Sequence, residues 1–378
     1  MTLLAPTFQT VASDARARAG RLQLAHGVVD TPMFMPVGTA ATVKAMRPHD
    51  VAQIGYRLIL ANTYHLMLRP GAETIGQFGG LHHFMSWPHN ILTDSGGYQV
   101  FSLAARRKIE ADGVVFASHI DGSTHRLTPE RAVELQRTFD SDIQMALDVC
   151  TGADEGREAA QEALTTTHAW AKRAKQRWLA IDDGYQGQLF GIVQGNFFPD
   201  LRSQAVAQIV DLELPGIAIG GLSVGETFEQ FCETLAFTAE QLPDDVPRYV
   251  MGIGTPEYVL AAIENGIDMF DCVFPTRAGR TGTLFTTGGR INIRNAKFIH
   301  SDDPPDPVID SFGGQRFSLG YLRHLFKSNE TLGAMLATEH NLRYLHWLVS
   351  QARAAVVAGT YREFTRRALD PYRSGGAS

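Results

Sequence analysis

Four polar residues end apolar runs in positions where chemistry would use them. They are Asp94 in "NILTDSGG", Asp148 in "DIQMALDVC", Gln194 in "QLFGIVQG" and Asp271 in "GIDMFDCVF". Asp271 is the sharpest case. Ile267, Met269, Phe270, Val273 and Phe274 surround it in the chain, and a carboxylate among such neighbours is costly unless it is used or neutralised. Carboxylates converging on one centre suit glycosyl chemistry, in which one attacks or stabilises an oxocarbenium-like carbon while another handles protons. Each residue also has a structural explanation. A strand-end Asp often caps a helix, "DSGG" reads as a turn, and Gly220-Gly221 as a close strand–helix contact. Gln194 would satisfy loop backbone, Met251 would pack in the core, and His65, His82, His83 and His340 would be structural. Taken singly, none fixes a function.

The elements that must position them are legible from the same runs. "PMFMPVGT", "RLILANTY", "NILTDSGG", "DIQMALDVC", "QLFGIVQG", "GIAIGGLS", "RYVMGIGT" and "GIDMFDCVF" are short and almost continuously apolar. That is the character of parallel strands buried on both faces. Helical patterns lie between most of them, such as "TPERAVELQRTFDS" with Thr128 as N-cap and Pro129 in the first turn. Eight strands alternating with helices predict an α/β (β/α)8 TIM barrel, whose chemistry lies at the C-terminal ends of the strands. Those ends supply Asn62, Asp94, Asp148, Gln194, Gly220-Gly221, Gly252 and Asp271. An insertion at about 101–127 holds a hairpin around Asp121-Gly122, and a second hairpin surrounds Gly288-Gly289. The expected division is a catalytic barrel over 1–275 and a subdomain over 276–378, whose last helices pack on the barrel.

With 378 residues, 44% hydrophobic and 20% charged, the composition is that of a globular enzyme. A net charge of −6 gives no global nucleic-acid signature, so any such binding needs a local basic patch. The first residues lack the apolar core of a signal peptide, and no apolar run approaches the roughly 18 residues of a membrane span. Cys150, Cys232 and Cys272 are too far apart for a disulfide framework or a metal knuckle. These features predict a reduced, cytoplasmic, non-membrane protein.

In combination the strings are specific. "LANTYHLMLRPG", "LTDSGGYQVFSL", "SHIDGSTHRLTPE", "FGIVQG", "GGLSVGE", "MGIGTPE", "GIDMFDCVFPTRAGRTG", "INIRNAKF" and "GAMLATEHNL" resemble, in order and over nearly the whole chain, the bacterial tRNA-guanine transglycosylases. The resemblance implies exchange of the wobble guanine (position 34) of tRNAs with GUN anticodons for preQ1, through a covalent aspartyl–tRNA intermediate. Asp271 would be the nucleophile and Asp94 the general acid/base. Asp148 and Gln194 would hydrogen-bond the purine edge, Gly221 and Leu222 would read it through their backbone, and Tyr98 and Met251 would sandwich it. Cys150 matches members that take preQ1 rather than queuine. Arg277, Arg280, Lys44 and Gln99 would contact the tRNA. A homodimer is implied, with contacts resembling Lys44, Tyr321, His324 and Glu330.

The sequence departs from this family at a defined place. Members hold a structural zinc with Cys-x-Cys-x-x-Cys and a downstream histidine. Here the three cysteine positions are Ile309, Ser311 and Gly314, with only His340 retained. A Cys₃His site cannot form, so no zinc is expected, unless His340, His324 and nearby aspartates make a substitute. Phe317 stands where a tryptophan is usual, Val149 for a glutamate and Thr255 for a lysine. Two alternatives follow from these changes: a zinc-less paralogue with another base or nucleic-acid substrate, and a non-catalytic tRNA-binding partner subunit.

Overall fold

The strands expected from the apolar runs all form, and they close on themselves. The structure, a computed structural model, describes residues 8–103 and 107–374. Three strands open the chain: β1 (Phe8–Asp14), β2 (Ala17–Leu24) and β3 (Gly27–Thr31). The barrel begins with β4 (Met33–Pro36), β5 (Leu58–Ala61) and β6 (Asn90–Thr93). An insertion follows, with β7 (Arg107–Glu110), β8 (Gly113–Ala117) and β9 (Thr124–Leu127). The barrel resumes with β10 (Ile143–Met145), β11 (Gln188–Val193), β12 (Gly216–Ile219), β13 (Arg248–Val250) and β14 (Met269–Cys272). Last come β15 (Thr283–Thr286) and β16 (Gly289–Asn292).

The eight barrel strands are parallel and neighbour one another in chain order. β14 returns to β4 with Asp271 opposite Met35. β4 and β5 meet at a parallel bridge between Val37 and Leu60, where the Gly38 N–H donates to the Leu60 carbonyl at 2.6 Å. Alternation along the strands sends Met35, Leu58, Leu92, Met145, Phe190 and Tyr249 into the barrel interior. Phe34, Ile59, Ile91 and Phe270 join the layer packed beneath the helices. The cap expected at Thr128 forms: its side chain accepts from the Arg131 N–H at 3.2 Å, with Pro129 beginning the helix.

The N-terminal sheet has no counterpart in the sequence-based expectation. Phe8, Leu22, Leu24 and Val29 join the interior cluster and plug the N-terminal opening of the barrel. Two buried acids anchor this end. Asp268 is paired with Arg18, whose Nε lies 3.1 Å from Oδ1, and it accepts the Arg248 N–H at 2.7 Å. Asp142 sits 2.8 Å from His26 Nδ1 and accepts the Ile91 N–H at 2.7 Å. Burial pushes Asp142 up, but hydrogen bonds from His26, His82 and that N–H outweigh it and hold the carboxyl below its usual range. His26, His82 and Asp142 bring ligand-type atoms within 4.8 Å of one another. The two imidazoles, however, stack at 3.7 Å, and rings lying face to face cannot both aim an in-plane lone pair at one ion.

The insertion is larger than the hairpin expected around Asp121-Gly122. That turn joins β8 to β9, and β7 adds a third antiparallel strand. The hairpin at Gly288-Gly289 is β15–β16. A small second core, including Leu284, Ile293, Phe312, Leu322 and Leu336, lies among β15, β16 and the helices beyond. The helix Thr331–Val357 leaves that core to pack on the barrel, where Leu342 O accepts from the Tyr56 hydroxyl at 2.8 Å. Among the described residues no helix is long and apolar enough to cross a membrane.

Arg18→Ala leaves Asp268 buried without its counter-charge, and stability is expected to fall by about 3 kcal/mol or more in urea unfolding. A loss below about 1 kcal/mol would show that the pair does not anchor the barrel floor.

Candidate active site

Parallel register places every C-terminal strand end on one rim, and there the side chains form two connected groups. The first is built on β5 and β6. Asp94 follows β6, and its Oδ1 accepts the Thr63 N–H at 2.8 Å while Oδ2 accepts from the Asn62 amide. The Thr63 hydroxyl donates to the Asp94 carbonyl at 2.6 Å, locking this backbone, and the Gln99 side chain also reaches the carboxyl. Burial raises Asp94 to about 6 against those hydrogen bonds, and the charge of nearby Asp271 adds to the rise. A carboxyl titrating there can both give and take a proton near neutrality.

The second group joins the ends of β10, β11 and β12. Gln194 Nε2 donates to Asp148 Oδ2 at 2.7 Å, and the Ser95 hydroxyl approaches Oδ1 at 3.4 Å. Asp148 is also raised to about 6 by burial. Gln194 Oε1 is buried with no hydrogen-bond partner in the protein among the described residues, which leaves an acceptor at this rim for a ligand or water. Glycines let the backbone crowd this pair. A Cβ on Gly97 would lie 2.8 Å from Asp148 Oδ1, and one on Gly220 would lie 2.7 Å from Gln194 Nε2. Gly221 follows with φ +66°, the left-handed region where glycine is at ease. Leu222 is buried beside it.

Beneath these glycines lies Arg202, a cation with no exposed surface. Its Nη1 donates to Gly220 O at 2.8 Å, Nη2 to Gly221 O at 3.2 Å and Nε to Asn196 O at 2.6 Å. Burial lowers it to about 10, so it stays charged at neutral pH. In the sequence Arg202 looks like any helix-surface arginine. Its one distinguishing mark is a place beside Leu201, Ala205 and Val206 on the buried face of the helix Pro199–Val210.

Asp271 ends β14. Its Oδ1 accepts from the Tyr249 hydroxyl at 2.5 Å and from the Gly252 N–H at 3.1 Å. Oδ2 has no protein partner among the described residues. Burial raises this carboxyl despite both donors. Tyr249 is a second residue that the sequence does not mark, since a tyrosine inside "RYV" reads as core. It is indeed buried in the barrel interior, but its hydroxyl reaches up to hold the acid. Met251 packs against that interior cluster just above. Tyr98, on the helix Gly97–Leu103, remains 50% exposed and lies near Cys150, Cys272 and Arg277.

Burial pushes the Cys150 and Cys272 thiols to about 12, so neither is a thiolate nucleophile at neutral pH. Arg277 is exposed and Arg280 half-buried on the helix Phe274–Thr281, with Arg280 Nη1 lacking a hydrogen-bond partner. Lys44 is exposed in the loop after β4. Among the described residues none of these three cations forms an ion pair. The structure thus brings Asp94, Asp148, Gln194, Gly221, Leu222, Met251 and Asp271 to one rim, with Tyr98, Gln99, Cys150, Arg277 and Arg280 around it. One Asp271 carboxylate oxygen has no protein partner among the described residues, and Asp94, raised to about 6, is near enough to sense the Asp271 charge.

The chain matches the family model described as queuine tRNA-ribosyltransferase over residues 13–374. It is 50% identical over 358 residues to the queuine tRNA-ribosyltransferase of Herpetosiphon aurantiacus, covering 95% of this chain and 90% of that protein. With the protein of that name from Borrelia duttonii it shares 48% over 371 residues, covering 97% of this chain and 99% of the other. With that from Treponema denticola it shares 50% over 356 residues, covering 94% of each.

Because Asp148 titrates near 6 when folded and near 4 when unfolded, only the folded chain holds its proton between those values. Stability therefore declines as pH rises from about 4 to 6. Asp148→Asn removes this titration and keeps the shape. The variant is expected to be more stable than the parent by about 2 kcal/mol at pH 8 and nearly equal to it at pH 4, as read by urea unfolding. Equal stabilities at both pH values would show that the carboxylate carries no burial penalty.

Proposed function

The chain belongs to the queuine tRNA-ribosyltransferase family, and from that premise we propose that it exchanges the wobble guanine of GUN-anticodon tRNAs for preQ1 by double displacement. Asp271 Oδ2 attacks C1′ of the guanosine as the C1′–N9 bond breaks, leaving tRNA covalently bound through an ester and releasing guanine. Asp94 supplies the proton that the departing base needs. The incoming base then loses a proton to Asp94, and its nitrogen attacks C1′, forming a new glycosidic bond and freeing the Asp271 carboxylate. The observation that carries this reading is the way Asp271 is held. Tyr249 and Gly252 fix Oδ1 and leave the other oxygen available, with Asp94 near enough to sense its charge. A non-catalytic partner subunit would have no need to bury such a pair, which favours catalysis over that alternative.

The base lies in the plane of Asp148, Gln194 and the Gly221–Leu222 backbone, filling the unmet valence of Gln194 Oε1. Tyr98 and Met251 stack on its faces. Cys150 leaves room at the rim for the small aminomethyl group of preQ1. The unpaired Arg277, Arg280 and Lys44, with Gln99, contact the anticodon loop, whose phosphates need cations that are not already neutralised. Such a substrate puts the reaction in the cytoplasm. The exposed Tyr321, Leu332 and Met335, with Phe317, Tyr321 and His324 stacked in series, make the face of a homodimer to which Lys44 and Glu330 also belong.

Incubated with unmodified tRNA and quenched in denaturant, the wild type is expected to show a slow-migrating covalent adduct, and Asp271→Asn none. An adduct that survives in Asp271→Asn removes that residue as nucleophile. Tyr249→Phe deletes one donor to a charged acceptor, so kcat is expected to fall roughly 10- to 100-fold. Tyr249 normally lowers the Asp271 pKa, so the acidic limb of the rate profile should move to higher pH, with tRNA affinity unchanged. An unmoved limb would leave Tyr249 as packing alone.

A further inference from the structure

The segment where the family resemblance expects three thiolates folds as though designed to do without them. Each of the three positions has a role that a metal ligand could not fill. Ile309 is buried and joins the main apolar core. Ser311 is buried, and its hydroxyl lies 2.9 Å from His340 Nδ1. Gly314 turns the chain at φ +89°, and its N–H donates to Asp310 Oδ1 at 2.9 Å. An isoleucine and a glycine offer no donor atom, and a serine hydroxyl stays protonated where zinc needs a deprotonated ligand.

The surviving histidine is not available either. His340 is fully buried, and its Nε2 lies 2.7 Å from the Phe285 carbonyl. A carbonyl only accepts, so Nε2 carries the hydrogen and Nδ1 is the acceptor for Ser311. Both ring nitrogens are spent. His324, the other histidine in reach by sequence, is exposed and stacks beside Tyr321. Among the described residues the one cluster with metal-type ligands is His26, His82 and Asp142, at the far end of the barrel. The residues present do not fit zinc.

We propose that this subdomain folds without a metal ion, with a Phe285–His340–Ser311 hydrogen-bond clasp standing where a metal would cross-link the loop and the long helix. The clasp ties the loop, through Ser311, to the helix Thr331–Val357, through His340, and adds β15 through the Phe285 carbonyl. Its neighbours complete the replacement. Asp306, itself buried, accepts from the backbone N–H groups of Thr287, of Val308 at 2.8 Å and of Ile309 at 3.1 Å, which fixes the loop against the hairpin. Phe312 packs edge-on to Phe317 at 5.2 Å over the small core.

The test needs no assay of base exchange, so its outcome is independent of the proposed reaction. The full chain is produced in zinc-supplemented medium, its metal content measured by mass spectrometry, and its thermal unfolding followed with EDTA, with added zinc and with neither. The expected result is less than roughly a tenth of an equivalent of zinc at His340 and a Tm that neither treatment moves by more than about 1 °C. Ser311→Ala strands a buried imidazole nitrogen and should lower Tm by about 2–5 °C, with no rescue by zinc. If that variant does not fold, the wild-type metal content and chelator response decide alone. Zinc that survives His340→Gln lies elsewhere and leaves the proposal standing. One equivalent lost in His340→Gln, together with a melt that collapses in EDTA, overturns it.

Discussion

Three carboxylates crowd one end of this barrel with no counter-ion, Asp94 and Asp148 buried and Asp271 partly so, and much of the architecture around them answers that cost. Asp94, Asp148 and Asp271 are held by neutral donors: an asparagine, a glutamine, a tyrosine and backbone N–H groups. Such donors support a carboxylate without fixing its charge, so burial still raises all three. At the opposite end, buried acids have cationic or imidazole partners, which hold Asp142 below its usual range although burial still raises Asp268. Asp268 immediately precedes β14 and is met by Arg18, while Asp142 precedes β10 and is met by two histidines. Asp268 and Asp271 are three residues apart, one just before β14 and one near its C-terminal end. The lower is met by a cation and anchors the fold, and the upper has no counter-ion. Barrels keep stability at the N-terminal face and chemistry at the C-terminal face, and this short stretch spans both faces.

Neutral donors must be brought very close, which explains the glycines. Gly97, Gly220 and Gly221 lie against Asp148 and Gln194 at distances where a methyl group would clash. The carbonyls this exposes need partners, and Arg202 supplies them from below with its whole guanidinium group. A single arginine there satisfies three carbonyls in a fixed fork that a lysine could not reproduce. This edge of the rim is thus a backbone surface held from below by a buried charge.

The barrel and its rim were legible because they follow from periodicity: eight apolar runs, each ending in a polar or glycine residue, become eight strands with those residues at one end. What was not legible depends on partners that are distant in the chain. β1 buries little beyond Phe8 along its length, so its sequence carries no strand pattern. β7 is almost wholly exposed and reads as loop. Arg202 and Tyr249 belong to residue types that are usually surface and core respectively, and only their carbonyl and carboxylate partners reveal a role. The resemblance to a known family pointed to Asp94 and Asp271, but the burial that raises them and the hydrogen bonds that hold them are stated by no motif.

The C-terminal region connects to this chemistry through two consecutive residues. His340 closes the clasp to Phe285 and Ser311. Asn341 accepts the Phe285 N–H at 3.0 Å and donates to the carbonyls of Pro275 and Thr283, each at 2.9 Å. Pro275 is four residues beyond Asp271 and sits in the helix that carries Arg277 and Arg280. That helix is pressed so closely on its neighbour that a Cβ on Gly279 would come within 2.8 Å of Ala337 O. One turn of the long helix therefore sets both the subdomain and the cation-bearing helix beside Asp271. A loosened 306–317 loop would be felt first at Phe285 and then, through Asn341, at the arginines. A fully buried imidazole with both nitrogens engaged gives that point a definite geometry, because rotation of the ring would strand two polar atoms in the core.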